Sequence, residues 1–251
     1  MMDVPANTTP NLPRLSVVVP MYNETSRMKH MLPMLADYFR GQDYSVEFVV
    51  VDDGSSDNTA QMARRILGSG PDVNVIEERP NRGKGHALKV GMLAARGEYV
   101  LFTDADLSTP PNEISEFWAW FEAGFDVVIG SRKMAGAVLE KHQPLWRESM
   151  GKVFTWLTNR IATPGISDIT CGFKCFTHSA AQMLFSRSVI DDWSFDAEVL
   201  FIAQKHGLRI KEVPVHWHDE TGTKVRIARD ATRALLGLAK IRINGIRGKY
   251  R

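Results

Sequence analysis

The chain has 251 residues, 44% of them hydrophobic, which is enough for one large globular core without disulfide staples. Its two cysteines, Cys171 and Cys175, make no secreted disulfide framework, are too few for a structural zinc site, and fit a reducing compartment. The net charge of +2 is uneven: from Lys224 to Arg251 nine bases face one acid, Asp230, leaving +8 there and −6 elsewhere, a pattern that favours an anionic partner.

Residues 1–14, MMDVPANTTPNLPR, have no charged start followed by an apolar run. They read as a flexible lead-in, not a secretory signal. No apolar run reaches the roughly 20 residues that a spanning helix needs. RLSVVVP is β-branched and predicts a first strand. TSRMKHMLPMLADYFR has helical spacing, interrupted by Pro33. VEFVVVDDG predicts a second strand, and SDNTAQMARRIL a helix capped by Asp57. DVNVIEE follows as a strand, then GKGHALKVGMLAARG as a helix entered and left through glycine. EYVLFTDAD is a fourth strand. PNEISEFWAWFEAG is a helix from Pro111 to Gly124, and FDVVIGSR a fifth strand.

Strands alternating with helices predict an α/β fold: a mostly parallel sheet with helices on both faces. The later part is less regular. WRESMGKVFTWLTNRIAT predicts an amphipathic helix, and DITCGFKCFT a loop and a short strand. FDAEVLFIAQKHG is a helix ended by Gly207, and LRIKEVPV a strand. The basic tail over 225–251 has a helical stripe, weakened by Gly237 and Gly245.

Several strands run straight into polar residues, and ligands of open α/β sheets bind beyond the carboxyl ends of their strands. Asp104 and Asp106 stand two apart at such an end, so both point to one side. Their hard oxygens suit Mg²⁺ or Mn²⁺; solvated acids before a helix are the alternative. VVVDDGSSD is a second acidic strand end, where Asp52 or Asp53 could accept from a base or a ribose, or merely close the strand. NRGKGHA places Lys84 at a helix start, where phosphate is attracted. It matches neither a P-loop nor a dinucleotide fingerprint, since Leu88 stands where a third glycine belongs. Asp196 and Glu198 could orient a sugar, act as a base, or simply suit a helix start.

The order VVVPMYNE, VVVDDGSSDNT, NRGKGHAL, FTDADLS, GSR resembles family 2 glycosyltransferases of the GT-A fold, from about Leu15 to Lys224. SDITCGFKCF, WSFDAEVL and EVPVHWHDETGTK resemble the polyprenyl-phosphate sugar synthase branch, dolichyl-phosphate β-glucosyltransferases more than mannose synthases. The resemblance implies a GT-A domain over 15–224, a nucleotide-sugar donor with UDP-glucose preferred, a divalent metal, and a polyprenyl-phosphate acceptor. It assigns Pro20, Tyr22, Asn23 and Glu24 to the nucleotide, Asp53 to base or ribose, Lys84 to the nucleotide side, and Asp104 and Asp106 to the metal. It assigns Arg132 to phosphate, Arg147 to the acceptor phosphate, and Gly222, Thr223 and Lys224 to a G-S-K element with Thr in place of Ser.

On this resemblance a metal held by Asp106, with Lys84 and Arg132, meets the charge of the leaving diphosphate. A phosphate monoester, with a second pKa of about 6, arrives ionised and needs Arg147 and Lys224 for positioning but no base. Back-side displacement inverts the anomeric centre. A hydroxyl acceptor, GDP-mannose or a UDP-N-acetylhexosamine as donor, and a binding module without turnover are the alternatives. The glucosyl relatives carry an N-terminal anchor and many others C-terminal spans. Neither pattern is seen here, so a cytoplasmic protein, peripheral at an anionic membrane, is expected. No nucleic-acid reader motif accompanies the basic tail.

Overall fold

The computed structural model describes residues 12–139, 155–218 and 227–251, with only the backbone given for 227–235. Most of the lead-in, Arg147, Gly222, Thr223 and Lys224 therefore lie outside the described residues.

The chain begins β1 (Leu15–Met21), α1 (Thr25–Arg40), β2 (Val46–Asp53), α2 (Thr59–Leu67), β3 (Val73–Glu78), α3 (Lys84–Ala94) and β4 (Tyr99–Thr103). A 3₁₀ turn over Pro111–Ile114 opens α4 (Ser115–Glu122). Then come β5 (Val127–Ser131), β6 (Val138–Leu139) and a helical stretch, α5, over 155–161. The rest is β7 (Phe173–Thr177), α6 (His178–Arg187), α7 (Phe195–Lys205), β8 (Ile210–Pro214), β9 (His216–Trp217) and α8 (Ile227–Ile246).

Seven strands form one sheet in the order β3-β2-β1-β4-β7-β5-β8, and β6 pairs with β9 apart from it. The pairs β1–β2, β1–β4, β2–β3 and β5–β8 are parallel. β7 is antiparallel to both of its neighbours, β4 and β5. The central strands read as unbroken β-branched runs because they are covered on both faces. Alternate residues of β1 show this: Val18 belongs to the core on the side of α3, α6 and α7, while Val17 and Val19 belong to the core on the side of α1, α2 and α4.

The expected α/β architecture is present, with four local differences. Pro33 lies within α1 and does not interrupt it, because the buried stripe Met28, Leu32, Leu35, Ala36 and Phe39 holds the helix through the missing hydrogen bond. Asp57 precedes the N-cap Asn58 of α2 and serves two helix starts: Oδ1 accepts from the Thr59 amide at 3.0 Å and Oδ2 from the Thr25 amide at 3.3 Å. α6 was not expected as a helix, and the direction of β7 was not foreseen. Gly124 and Gly207 do follow α4 and α7 with positive φ, 81° and 71°.

The basic tail does not stand clear of the domain. Leu238, Ile241 and Tyr250 are fully buried in the same core as Phe195, Val199 and Ile202 of α7. The glycines that weakened the helical pattern are contact points. A Cβ on Gly245 would sit 2.9 Å from the Phe201 ring, and one on Gly237 would overlap the side chain of Ser194. The outer side of α8 exposes Leu236, Ile243 and Ile246. Among the described residues no helix is long and apolar enough to cross a membrane. Both thiols are buried and unpaired, and burial pushes each up, Cys171 to about 11.

Candidate active site

The carboxyl ends of β1, β2 and β4 meet at one edge of the sheet, as their parallel register requires. β7 runs the other way and so delivers the loop before it to the same edge, where the Asp104 amide donates to the Gly172 carbonyl at 3.1 Å.

β1 ends in Pro20, Tyr22, Asn23 and Glu24. Asn23, at φ 52°, locks this loop to the one after β2. Its amide donates to Ser55 Oγ at 2.8 Å, and its Oδ1 accepts from the Ser56 amide at 2.9 Å. The Glu24 amide donates to Thr59 Oγ1, and Asp52 accepts from Ser55. Tyr22 is left partly exposed on this wall.

Asp53 is buried, and its carboxylate serves one turn. Oδ2 accepts from Asn81 Nδ2 at 2.8 Å and the Gly83 amide at 2.7 Å, and Oδ1 from the Arg82 amide at 3.0 Å. A carboxylate has about four acceptor positions, so roughly one remains for a ligand. The turn needs glycine at 83, where φ is 117° and a Cβ would lie 2.5 Å from the Asp191 carbonyl.

That turn presents Lys84. Its Nζ lies 2.5 Å from Asp104 Oδ1 and over the rings of Trp193 (5.3 Å) and Phe195 (5.7 Å). Burial works against its charge, but Asp104, Asp196 and Asp106 outweigh that and hold the ammonium above its ordinary value. The start of α3 is less open than expected, because the Gly85 and His86 amides both donate to the Asp191 carbonyl. The cation, more than the helix terminus, is what this turn offers an anion.

Asp104 and Asp106 share the mouth of β4, where Asp106 Oδ1 accepts from the Ser108 amide at 3.1 Å. No cluster of three or more acidic, histidine or cysteine ligands exists among the described residues. Two carboxylates still suit Mg²⁺ or Mn²⁺, which usually takes its other oxygens from water and substrate phosphate. Gly172 leaves room for this, since any Cβ there would overlap the Asp104 carboxylate.

Arg132, just after β5, is gripped by Asp168. Nε donates to Oδ2 at 2.7 Å, Nη2 to Oδ1 at 2.8 Å, and the backbone amide to Oδ2 at 2.9 Å. Nη2 also reaches Thr170 Oγ1 at 2.9 Å. Burial alone would raise the Asp168 carboxyl, but the Arg132 guanidinium and its hydrogen bonds hold it well below the usual range. Arg132 is thus a fixed cation, near enough to Asp104 to feel its charge.

The two acids of FDAE separate. Asp196 is buried against Lys174, Oδ1 to Nζ 2.6 Å, and burial holds its carboxyl above the usual carboxylate range although Lys174 and Lys84 pull it down. Glu198 is fully buried. Its Oε2 accepts from the Val189 and Ile190 amides and its Oε1 from Tyr250, all of them groups of the fold. Sequence reasoning missed Asp168 and Lys174. For Lys174 a signal existed: a lysine alternating with Phe173, Cys175 and Phe176 in a buried strand needs an acid.

The sheet order and the clustered edge define a GT-A glycosyltransferase fold. A solved structure of glucosyl-3-phosphoglycerate synthase from Mycobacterium tuberculosis, with Mn²⁺, UDP-glucose and phosphoglyceric acid, superposes with a TM-score of 0.66 at 17% identity, covering 91% of this chain and 79% of that one. The family model for glycosyl transferase family 2 matches residues 16–192, and the chain belongs to that family. A dolichyl-phosphate beta-glucosyltransferase, ALG5C, of Trichomonas vaginalis is 35% identical over 84% of this chain and 66% of its own length. One from Dictyostelium discoideum is 33% identical over 91% and 77%.

Two outcomes follow from this geometry. Gly172→Ala should displace the Asp104 carboxylate and weaken Mn²⁺ binding in the presence of UDP by about tenfold, one lost charge-assisted contact. Titration of free Mn²⁺ by electron paramagnetic resonance reads this, and unaltered affinity would contradict the cradle. For Asp168 the folded pKa lies below the unfolded value of about 3.9, so its stabilisation is present above pH ~4 and fades as pH falls further. Asp168→Asn should cost about 3–5 kcal/mol at neutral pH, by urea unfolding, and flatten the acid-side loss of stability.

Proposed function

We propose that this chain transfers a hexose, glucose from UDP-glucose, to a polyprenyl phosphate of the dolichyl type, inverting the anomeric centre with Mg²⁺ or Mn²⁺ at Asp104 and Asp106. The observation that carries the reading is Lys84 Nζ at 2.5 Å from Asp104, beside Asp106, at the carboxyl edge of the sheet. The activity for which the relatives are named supports the sugar and the lipid acceptor.

Pro20, Tyr22, Asn23 and Glu24 form the wall for the nucleotide base, and Asp53 keeps the Lys84 turn against it. The cation, when bound, neutralises charge on the departing diphosphate. Lys84 adds a second positive charge at the same place, held there by its ring contacts and its acids. Arg132, pinned by Asp168, contributes a fixed field.

The state of Asp196 bears on the acceptor. It is engaged with Lys174 at 2.6 Å and buried, a poor position for taking a proton from a hydroxyl. A phosphate monoester needs no such base, because its second pKa is about 6. Arg147 and Lys224 are the residues assigned to orient it, as arginine forks suit phosphate oxygens.

A lipid acceptor also requires a membrane surface. Leu236, Ile243 and Ile246 on the outer side of α8 are exposed, Ile246 by 84%, and Lys240, Arg242 and Arg247 flank them. An apolar stripe edged by cations suits an anionic leaflet. This stripe supports reading the enzyme as peripheral at an anionic membrane on the cytoplasmic side.

The decisive assay combines purified protein, Mn²⁺ or Mg²⁺, a short polyprenyl phosphate and a panel of UDP-glucose, GDP-mannose and UDP-N-acetylhexosamines. UDP release and a glucosyl lipid are expected with UDP-glucose, falling by about 10²-fold or more in Asp106→Asn, as when a charge-stabilising group is lost. Release only with a hydroxyl acceptor would overturn the lipid-phosphate reading. In vesicle flotation, Arg242→Glu and Arg247→Glu should each weaken binding to phosphatidylserine vesicles by roughly fivefold or more. Equal partitioning of wild type and the double variant would remove α8 as the contact.

A further inference from the structure

Glu198 and Tyr250 have no part in the chemistry above, yet both are completely buried. Tyr250 Oη donates to Glu198 Oε1 at 2.6 Å, and Asn244 Nδ2 donates to the same hydroxyl at 3.3 Å. The Tyr250 carbonyl is bonded to His206 Nε2 at 2.6 Å, and its ring packs on Phe201 with centroids 5.9 Å apart. The chain after α8 is therefore seated at three points on α7 and the turn that follows it, Glu198, Phe201 and His206.

The other oxygen of Glu198 carries the connection onward. Oε2 accepts from the Val189 amide at 3.0 Å and the Ile190 amide at 2.9 Å. The next carbonyl, Asp191, accepts from the Gly85 and His86 amides at 2.8 and 3.3 Å. Those amides belong to the first turn of α3, the turn that starts with Lys84. Asp191 Oδ2 meets Arg82 at 3.0 Å from the other side of that turn. There is no slack between the two segments. A Cβ on Gly85 would stand 2.5 Å from the Ile190 carbonyl, and one on Gly83 2.5 Å from that of Asp191.

A short path of hydrogen bonds thus joins Tyr250 to Lys84: hydroxyl to carboxylate, carboxylate to the 189–190 amides, the 191 carbonyl to the 85–86 amides. Bonds to a buried carboxylate are among the stronger ones, and leaving its partners unpaired is costly. Glu198 is the joint, since its two oxygens hydrogen-bond both the tail, at Tyr250, and the 189–190 amides. We infer that Tyr250 and Glu198 are positioning residues for Lys84, so that the seating of the chain after α8 sets the donor side of the site. The inference rests on the reading of Lys84 as a donor-diphosphate contact.

Three full-length variants test it. Tyr250→Phe removes one oxygen and keeps the ring against Phe201. Glu198→Ala removes the joint, and Glu198→Gln retains an acceptor for the 189–190 amides. Native-state hydrogen exchange should quicken by about tenfold at the Gly85 and His86 amides in Tyr250→Phe and Glu198→Ala, the loss of one charge-assisted bond, and stay near wild type in Glu198→Gln. The KM for UDP-glucose should rise by a similar factor of about ten in Tyr250→Phe, with the KM for polyprenyl phosphate unchanged. A fall in Tm alone, with exchange at 85–86 unaltered, would overturn the inference. So would faster exchange with an unchanged donor KM, or an equal rise in both KM values. If Glu198→Ala fails to fold, Tyr250→Phe decides alone. If wild type does not glycosylate a lipid phosphate, the functional reading fails separately, and the exchange data still support or overturn the coupling.

Discussion

A carboxylate taken out of water has to find positive charge or several donors within the protein, and the functional edge of this sheet is arranged around that requirement. Asp53 has the Asn81 amide group and the Arg82 and Gly83 backbone amides, Asp104 has Lys84, Asp168 has Arg132, and Asp196 has Lys174. Each partner comes from a distant part of the chain, so satisfying the acids also fixes loops to one another. Asp53 anchors the turn before α3, Asp168 anchors the end of β5, and Asp196 ties α7 to β7. The acids thereby assemble the edge as well as equip it.

β7 is the structural means. Being antiparallel between β4 and β5, it brings its own preceding loop, with Asp168, Thr170 and Gly172, to the edge where the parallel strands end. Had it been parallel, that loop would lie at the opposite edge, and Arg132 and Asp104 would lose their neighbours. A reversed strand within a parallel sheet brings its preceding loop to the side where its neighbours deliver their following ones.

Much of this was legible in the sequence and some was not, for separable reasons. The first five strands and their helices follow from β-branched runs alternating with helical spacing. The residues from Pro20 to Asp106 that resemble the family do meet at one edge. The direction of FKCFT was hidden, because a five-residue buried run has the same pattern in either direction. The role of Asp168 was hidden because a salt bridge between distant residues leaves no local trace, whereas the lysine in the buried run FKCFT signals the need for an acid without naming it. Gly237 and Gly245 argued against a helix by propensity, yet tight packing on Ser194 and Phe201 favours them. Glu198 looked like its neighbour Asp196; both are buried, and their partners separate them, Lys174 for Asp196 and Tyr250 with the 189–190 amides for Glu198.

The two cysteines illustrate how packing sets chemical identity. Cys171 and Cys175 belong to the core beneath the edge, and burial pushes both thiols up, away from the thiolate form that reacts. Neither thiol is presented to a reagent in water, since both are fully buried. The wild-type chain is therefore a nearly silent background for thiol labelling. A single cysteine placed on the outer side of α8 could carry a polarity-sensitive dye or a spin label without first removing the native pair, and would register directly the medium that this face of the protein meets.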